Sequence, residues 1–258
     1  TGVVAVPDER LIELSEMYHP KKTTPAVIEF VDIAGLVKGA SHGEGLGNKF
    51  LSHIRECEAI VHVVRCFEDP DIIRHADSLN PQHDIETINL ELIAADRETV
   101  AKRAERAVKM LKSGEKRFAD EAALGEKLLA HLDNLQPART CPMTDKEREI
   151  VREWFLLTTK PVIYACNIKE DDLGKDEDSI PGVTDVKAIA AGENAKVLVI
   201  SAKIEEDIAQ MDDEEKNMFL EEMGIGKSGL DRLIAECYDL LGLISFLTAG
   251  ADECRAWT

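Results

Sequence analysis

The stretch IEFVDIAG, residues 28–35, is a short apolar run that ends in an aspartate and is followed by a glycine. Similar β-branched runs recur further along the chain, and helical sequence separates them. Short, continuous apolar runs of this kind are typical of parallel strands buried on both faces. They predict an α/β fold with a doubly wound, mainly parallel sheet. The predicted strands are residues 26–31, 59–65, 161–166 and 196–200, with residues 3–6 as a candidate fifth.

Asp32 stands at the carboxyl end of the first of these runs, where an open α/β sheet binds its ligand. An aspartate at such a place can hold Mg²⁺ directly or through water. Gly35 allows a backbone N–H to approach a terminal phosphate, because it has no side chain in the way. The glycine-rich segment GLVKGASHGEGLGNKFL, residues 35–51, follows directly. We expect a segment of this composition to be ordered by a bound phosphate and released on hydrolysis.

Two further short motifs follow predicted strands. N-I-K-E begins at Asn167, and S-A-K begins at Ser201. In the related N-K-x-D motif of GTP-binding proteins, the aspartate accepts hydrogen bonds from guanine. Here Glu170 takes the acidic position and Ile168 the lysine position, so we expect a weakened preference for guanine. Ser201 and Ala202 offer backbone N–H groups to a base edge. Together the three motifs predict one nucleotide site at the carboxyl edge of the sheet.

Composition limits the class of protein. The chain has 258 residues and a formal net charge of −19, which repels polyphosphate and disfavours general DNA coating. No apolar run approaches the roughly 18 residues that a membrane span needs, and no secretion signal is present. We therefore expect a cytoplasmic protein without a membrane partner. The six cysteines form no C-x-x-C pair, so we expect reduced thiols.

A helical insertion is predicted between the second and third strands. Apolar residues at steps of three and four predict two antiparallel helices with a break at Ser113-Gly114, and Thr144 begins a capping box before a third helix. The first helix has a basic polar face inside an acidic chain. This face is either merely solvated or contacts RNA phosphates. The candidate RNA contacts are Arg97, Lys102, Arg103, Arg106, Lys109 and Lys112.

Long motifs in this chain resemble a known family. DIAGLVKGASHGEGLGNKFLSHIRE, residues 32–56, resembles the signature of Obg-type translation-factor NTPases. RCFED, NIKE and TAGADECRAWT are similar to the YchF (Obg-like ATPase) branch. The resemblance implies a P-loop NTPase domain of the TRAFAC class, a preference for ATP over GTP, slow hydrolysis with Mg²⁺, and association with the ribosome or ribosomal RNA. It assigns the adenine contacts to Phe67, Asn167 and Ile168, with Ser201 and Ala202 beside them. Glu170, at the acidic position of N-I-K-E, is a further candidate for base binding.

The resemblance also divides the chain. It implies a first part of the G domain at residues 1–84, a coiled-coil insertion at 85–140, a second part of the G domain at 141–247, and the start of a linker to a TGS domain at 248–258. No G-x-x-x-x-G-K-[ST] motif occurs in the sequence, and the resemblance places this P-loop before Thr1. We therefore expect an internal fragment with little or no activity of its own. We also expect a cleft or a closed-up pairing between the strand ending at Asp32 and residues 59–65.

At the catalytic position the sequence differs both from Ras-like proteins and from the family that it resembles. Leu36 stands where Ras-like proteins have a glutamine that orients the attacking water, and a leucine cannot form that hydrogen bond. The family is thought to use a histidine after I-I, but this chain has Arg74 there and His75 one residue later. His75 is therefore a candidate for positioning the water, and a surface histidine is the equal alternative.

Two other classes of function remain open on the sequence alone. One is a non-catalytic module that binds RNA or the ribosome on a degenerate NTPase core. The other is a helical RNA-binding arm that acts independently of nucleotide.

Overall fold

Three parallel strands lie at the centre of the molecule: β4 (Ile60–Arg65), β5 (Val162–Asn167) and β6 (Lys196–Ile200). The computed structural model describes residues 1–33, 46–68 and 79–258, without the side chains of residues 46–50 and of Asp213. β5 lies in the middle, with Cys166 opposite both Val64 of β4 and Val199 of β6. Residues 162–166 are all buried, which explains why their sequence is continuously apolar.

Helices cover both faces of this sheet. On one face, Tyr164 and Cys166 pack with Val183 and Val186 of α6 (Val183–Glu193). On the other face, Ile163 packs with Cys237 of α9 (Gly229–Leu240). This arrangement confirms the predicted doubly wound α/β architecture. The remaining helices on the carboxyl side of β6 are α7 (Ala202–Ile208) and α8 (Asp213–Glu222), and α9 spans Gly229–Leu240.

The strand before Asp32 belongs to a different pair of strands. β3 (Val27–Phe30) runs antiparallel to β1 (Gly2–Ala5), with Gly2 opposite Phe30. Within the described residues, β3 forms no ladder with β4. The strand itself was correctly predicted, but its parallel orientation was wrong. A four-residue apolar run does not encode the direction of its partner, and the alternating exposure of β3 differs from the continuous burial of β5.

The two ends of the chain meet in a third sheet. β8 (Glu253–Trp257) lies between β2 (Lys22–Thr24), to which it is parallel, and β7 (Phe246–Thr248), to which it is antiparallel. Leu11 of α1 (Glu9–Tyr18) packs against Cys254 and Ala256 on this sheet. The residues expected to begin a linker at 248–258 therefore contain a strand that is attached to the first part of the chain.

A helical arm projects between β4 and β5. It consists of α3 (Pro81–Met110) and α4 (Lys116–Asp133), and we use the name helical arm for residues 81–133. Val100 packs against Leu124 and Leu128 along the arm. Gly114, with φ of 77°, makes the turn at the predicted break.

Two further helices lie at the base of the arm. α5 (Asp145–Arg152) begins with the predicted capping box between Thr144 and Glu147. α2 (Leu46–Glu56) precedes β4, and its Leu51 and Ile54 pack with Leu92 of α3.

All six cysteines are free thiols, and all but Cys57 are buried. In the described ranges, no helix has both the length and the apolar character required to cross a bilayer.

Candidate functional site

The loops that follow β5 and β6 are joined by direct hydrogen bonds. The side-chain oxygen Oδ1 of Asn167 accepts a hydrogen bond of 2.9 Å from the backbone N–H of Ala202. The backbone N–H of Ile168 donates to the carbonyl oxygen of Ile200 at 2.8 Å. Four of the residues predicted to contact a base, Asn167, Ile168, Ser201 and Ala202, therefore lie together at the carboxyl edge of the sheet, as the order of the motifs predicts.

Ser201 is a polar side chain enclosed at this edge. It is 1% exposed, and its Oγ has no hydrogen-bond partner among the described residues. It precedes α7, but its side chain makes no capping hydrogen bond to that helix. A buried hydroxyl without a partner costs about 1–3 kcal/mol. Buried polar groups are almost always hydrogen-bonded, so the unpartnered Oγ of Ser201 is an unusual feature of this edge.

The two residues that depart from the guanine-reading motif have different surroundings. Ile168 is 3% exposed and packs in the core beside Val64 and Cys166, so its side chain stabilises the loop. Glu170 is exposed and begins a short 3₁₀ turn that ends at Asp172. The buried Ile168 thus stands where the guanine-reading motif has its lysine, and the carboxylate of Glu170 is exposed to solvent.

Phe67 lies at the corresponding end of β4. The backbone N–H of Cys66 donates to the carbonyl of Asn167 at 2.8 Å, which holds the loop after β4 against β5. Phe67 is half-buried and lines a cavity of about 430 Å³ together with Lys169 and Asp172. Asn167 and Ser201 do not line this cavity, so Phe67 lies at the same edge of the sheet but faces a cavity that these two residues do not border.

Asp32 lines a much larger cleft, of about 2060 Å³, that separates β3 from β4. The prediction of a cleft between these two strands is confirmed. Arg65 lines the same cleft and is the residue opposite Asn167 in the β4–β5 ladder. The cleft therefore extends from exposed Asp32 to the strand end next to the Asn167 loop. Val63, in the middle of β4, is 61% exposed, as expected for an edge strand.

The predicted switch and catalytic residues cannot be placed. Gly35, Leu36 and His75 lie outside the described residues.

A buried polar cluster, which sequence reasoning missed, lies behind the cleft. Glu193 accepts hydrogen bonds from Tyr164 Oη at 2.8 Å and from Arg139 Nη2 at 2.6 Å, and Asn89 Nδ2 donates to its other oxygen at 3.4 Å. The side chains of the Arg139–Glu193 ion pair are only 8% and 11% exposed. The cluster connects the helical arm to the sheet. The only sequence signal was one tyrosine inside the otherwise apolar run PVIYAC.

His62 of β4 belongs to this region, since its ring lies 5.5 Å from that of Tyr164 and lines the cleft. Burial lowers the pKa of His62 to about 4, and the nearby Arg139 guanidinium contributes in the same direction. Burial and the adjacent Glu193 carboxylate raise the pKa of Tyr164 to about 12. Both side chains are therefore neutral near pH 7.

The predicted RNA contacts all lie on α3 or just after it. Arg97 pairs with Asp133 at 2.5 Å, Lys102 with Glu98 at 2.5 Å, and Lys109 with Glu105 at 2.6 Å. Arg103 donates to the carbonyl of Glu153 at 2.9 Å. Much of the basic face is thus neutralised or held within the arm and its base.

Comparison with known proteins agrees with this architecture. The family described as "50S ribosome-binding GTPase" matches residues 10–109. The protein named "Ribosome-binding ATPase YchF" of Bacillus subtilis (strain 168) is 51% identical over 257 residues, which cover 100% of this chain and 70% of that protein. The chain belongs to the YchF family. The YchF protein of Escherichia coli O157:H7, which has the same name, is 46% identical over 258 residues, again covering 100% of this chain and 70% of that protein.

A solved YchF structure confirms the fold. The structure described as that of the Schizosaccharomyces pombe YchF GTPase matches with a TM-score of 0.85 and 36% identity, covering 99% of this chain and 69% of that one. The family resemblance of residues 32–56 is confirmed by these matches. The names of the YchF relatives differ on the nucleotide, since the bacterial proteins are named ATPases and the yeast protein a GTPase.

Proposed function

We propose that this chain is the nucleotide-binding core of a ribosome-associated ATPase that hydrolyses ATP to ADP and phosphate and prefers ATP to GTP. The main support is the hydrogen bond between Asn167 and Ala202, which joins two loops at the ligand-binding edge of the sheet. The names of the YchF relatives support the activity and the ribosome as partner. We also infer a cytoplasmic protein, because the proposed partner is the ribosome.

The base is held by the joined loops in this proposal. Asn167 is fixed through its oxygen, and its amide N–H groups are donors for a purine ring nitrogen. Ser201 and Ala202 lie next to it in the loop after β6. The backbone N–H of Ala202 is donated to Asn167, so it holds the two loops together and, contrary to the expectation from the sequence, is not available to the base. Guanine would require a carboxylate placed against its N–H groups, but Glu170 is an exposed residue with a longer side chain. Because guanine has no well-placed carboxylate partner here, the site favours adenine, and GTP binds more weakly than ATP.

The phosphates are bound at the cleft between β3 and β4. A phosphate-binding loop would sit at the end of an additional strand, and both strands that border the cleft have apolar residues exposed along it, including Val27 at 54% and Val63 at 61%. We propose that a segment with the missing P-loop motif adds a strand between β3 and β4. Without it, residues 1–258 have little or no activity, because the P-loop normally supplies several N–H donors and a lysine.

Mg²⁺ is the cofactor in this proposal, and Asp32 is its protein ligand, directly or through water. Asp32 is exposed at the cleft, and the described residues contain no cluster of three or more potential metal ligands. One carboxylate suits Mg²⁺, which usually takes one or two carboxylates and completes its shell with water and phosphate oxygens. When bound, Mg²⁺ neutralises charge on the phosphates. Asp32 provides the fixed negative charge, and Gly35 and Leu36 belong to the adjacent switch.

The experiment that tests this function is ATP turnover by two proteins. One is the chain alone, and the other is the chain joined to the N-terminal segment of its 51% identical Bacillus subtilis relative. We expect turnover of ATP with Mg²⁺ only by the joined protein, and loss of turnover on Asp32→Ala. If the joined protein folds and binds ribosomes but neither binds nor hydrolyses ATP, the chain is a non-catalytic ribosome- or RNA-binding module, which is the alternative.

A further inference from the structure

The far end of the helical arm has a surface unlike the rest of the molecule. We call residues 106–117 the arm tip. Residues 108–117 are all exposed, although three of them are large and apolar. Val108 is 56% exposed, Met110 40% and Leu111 43%. Exposed apolar side chains this close together on a soluble helix end mark an interaction surface more often than scattered ones do.

The arm tip is also strongly basic. It contains five cations and one anion in a chain whose formal net charge is −19. Lys109 and Arg117 pair with glutamates of the arm and its base. Within the described part of the chain, the other three cations form no ion pair: Arg106, Lys112 and Lys116. The free positive charge of the arm is therefore concentrated at its tip, whereas Arg97 and Lys102 further down are ion-paired.

The basic arm tip lies far from the rest of the chain, which is acidic. Ile85, near the start of α3, is in the core of the sheet, and the helix continues from there to Met110. At 1.5 Å per residue, these 25 residues span about 38 Å. The Debye length at physiological salt is about 8 Å, so the tip lies several screening lengths from the body. A polyanion can approach the tip with little repulsion from the rest of the chain.

The composition of the tip indicates the class of partner. Lysine is depleted in the cores of protein–protein interfaces, which are enriched in aromatic residues. The tip has three lysines and no aromatic residue. Lysine and arginine are the usual contacts to phosphates, and apolar side chains can pack against unstacked bases.

We propose that the arm tip docks on ribosomal RNA. Arg106, Lys112 and Lys116 contact backbone phosphates, while Val108, Met110 and Leu111 pack against exposed bases or sugars. This inference rests on the proposed association with the ribosome. It places the RNA contact at the tip, where only some of the basic residues predicted from the sequence are located.

Two variants that each remove three positive charges test whether the RNA contact lies at the arm tip. The tip variant is R106Q/K112Q/K116Q, and the matched control is R97Q/K102Q/K146Q, which removes exposed cations that are paired within the arm and its base. The probe is deproteinised ribosomal RNA, titrated between about 50 and 200 mM salt. We expect the tip variant to bind about 10- to 100-fold more weakly and to show a salt slope shallower by about two to three. The control should lose less than about threefold.

A third variant, M110S/L111S, tests the apolar part. We expect weaker RNA binding with an unchanged salt slope, because no phosphate contact is removed. Equal losses in the tip variant and the control would overturn the location. If the tip variant no longer binds intact ribosomes but still binds deproteinised ribosomal RNA, a ribosomal protein is the partner and the RNA assignment is wrong. If the unmodified chain binds neither ribosomes nor RNA, the proposed ribosome association fails, and this inference fails with it.

Discussion

The side-chain oxygen of Asn167 and the backbone N–H of Ala202 are 2.9 Å apart and hydrogen-bonded, although 35 positions separate them in the sequence. This contact fixes the loop after β5 against the first turn of α7. Neither residue is part of the buried core, since Asn167 is half-buried and Ala202 is exposed. In the proposed function, two loops that are mutually fixed at the carboxyl edge of a parallel sheet form a preorganised base site, which lowers the entropic cost of binding.

Asp96 is expected to be the most important buried carboxylate for stability. It is 0% exposed and accepts hydrogen bonds from Leu157 N at 2.8 Å, Thr158 N at 2.7 Å and Thr158 Oγ1 at 2.6 Å. Asp96→Ala should lower the free energy of unfolding by about 2–4 kcal/mol, because buried donors lose their acceptor. The control, Asp133→Ala, removes only an exposed ion pair and should cost less than about 1 kcal/mol. Urea denaturation gives the free energy of unfolding of both variants. If both lose the same amount of free energy of unfolding, Asp96 does not have this stabilising role.

The depressed pKa of His62 predicts a loss of stability in acid. The unfolded histidine binds a proton near pH 6.5, whereas the folded one, beside Arg139 and Glu193, does so only near pH 4. Stability should therefore be complete above pH 6.5 and fall by about 2–3 kcal/mol as the pH is lowered to 4. His62→Gln should flatten this part of the profile, measured as the free energy of unfolding from pH 7 to 4. An unchanged slope would contradict the assignment.

Two glycines in helices should respond to alanine in opposite ways. A Cβ at Gly125 of α4 would lie 2.6 Å from the Cβ of Ala104, so Gly125→Ala should force α3 and α4 apart and cost about 1–3 kcal/mol. A Cβ at Gly192 of α6 would meet nothing within 4 Å, so Gly192→Ala should stabilise by about 0.5–1 kcal/mol. Thermal unfolding of the two variants gives the comparison. A neutral Gly125→Ala would show that the arm is less tightly packed than described.

The ion pair of Arg139 and Glu193 should stabilise the polar cluster in which Asn89 of the arm and Tyr164 of the sheet both contact Glu193. Arg139→Ala leaves a buried carboxylate without its main partner and should cost about 3–5 kcal/mol, whereas Tyr164→Phe removes one hydrogen bond and should cost about 1 kcal/mol. The double variant should cost less than the sum, because both side chains contact Glu193. Arg97→Ala, in an exposed pair, serves as the control. Strict additivity in denaturant unfolding would show that no shared network exists.

The parts of the fold that could be predicted are those encoded locally. β5 is a continuous apolar run because both of its faces are buried. α5 begins at Asp145, directly after the N-cap Thr144, because Thr144 and Glu147 have the three-position spacing of a capping box. The arm followed from apolar residues at helical spacing. Strand ends in a parallel sheet share one edge, so the meeting of Asn167 with Ala202 was also predictable.

The structural features that could not be predicted from the sequence depend on contacts between residues far apart in the chain. β8 pairs with β2 across most of the chain, with Lys22 opposite Glu253, and short mixed strands give no signal of such a partner. The direction of β3 is set by β1 and not by its own residues. The Glu193 cluster joins residues from four elements, and a single tyrosine in an apolar run does not reveal it.

Nucleotide affinity of Asn167 variants tests the central claim, that the loops after β5 and β6 hold an adenine base. In the chain joined to the N-terminal segment of its Bacillus subtilis relative, fluorescent ATP and GTP analogues are titrated against the unmodified protein, against Asn167→Ala and against a control, Asn134→Ala. Asn134 is an exposed residue directly after α4. We predict tighter binding of ATP than GTP by about tenfold, a loss of about 10- to 100-fold in ATP affinity for Asn167→Ala, and no change for Asn134→Ala. Unchanged ATP affinity in Asn167→Ala, or tighter binding of GTP than ATP by the unmodified protein, would contradict the account.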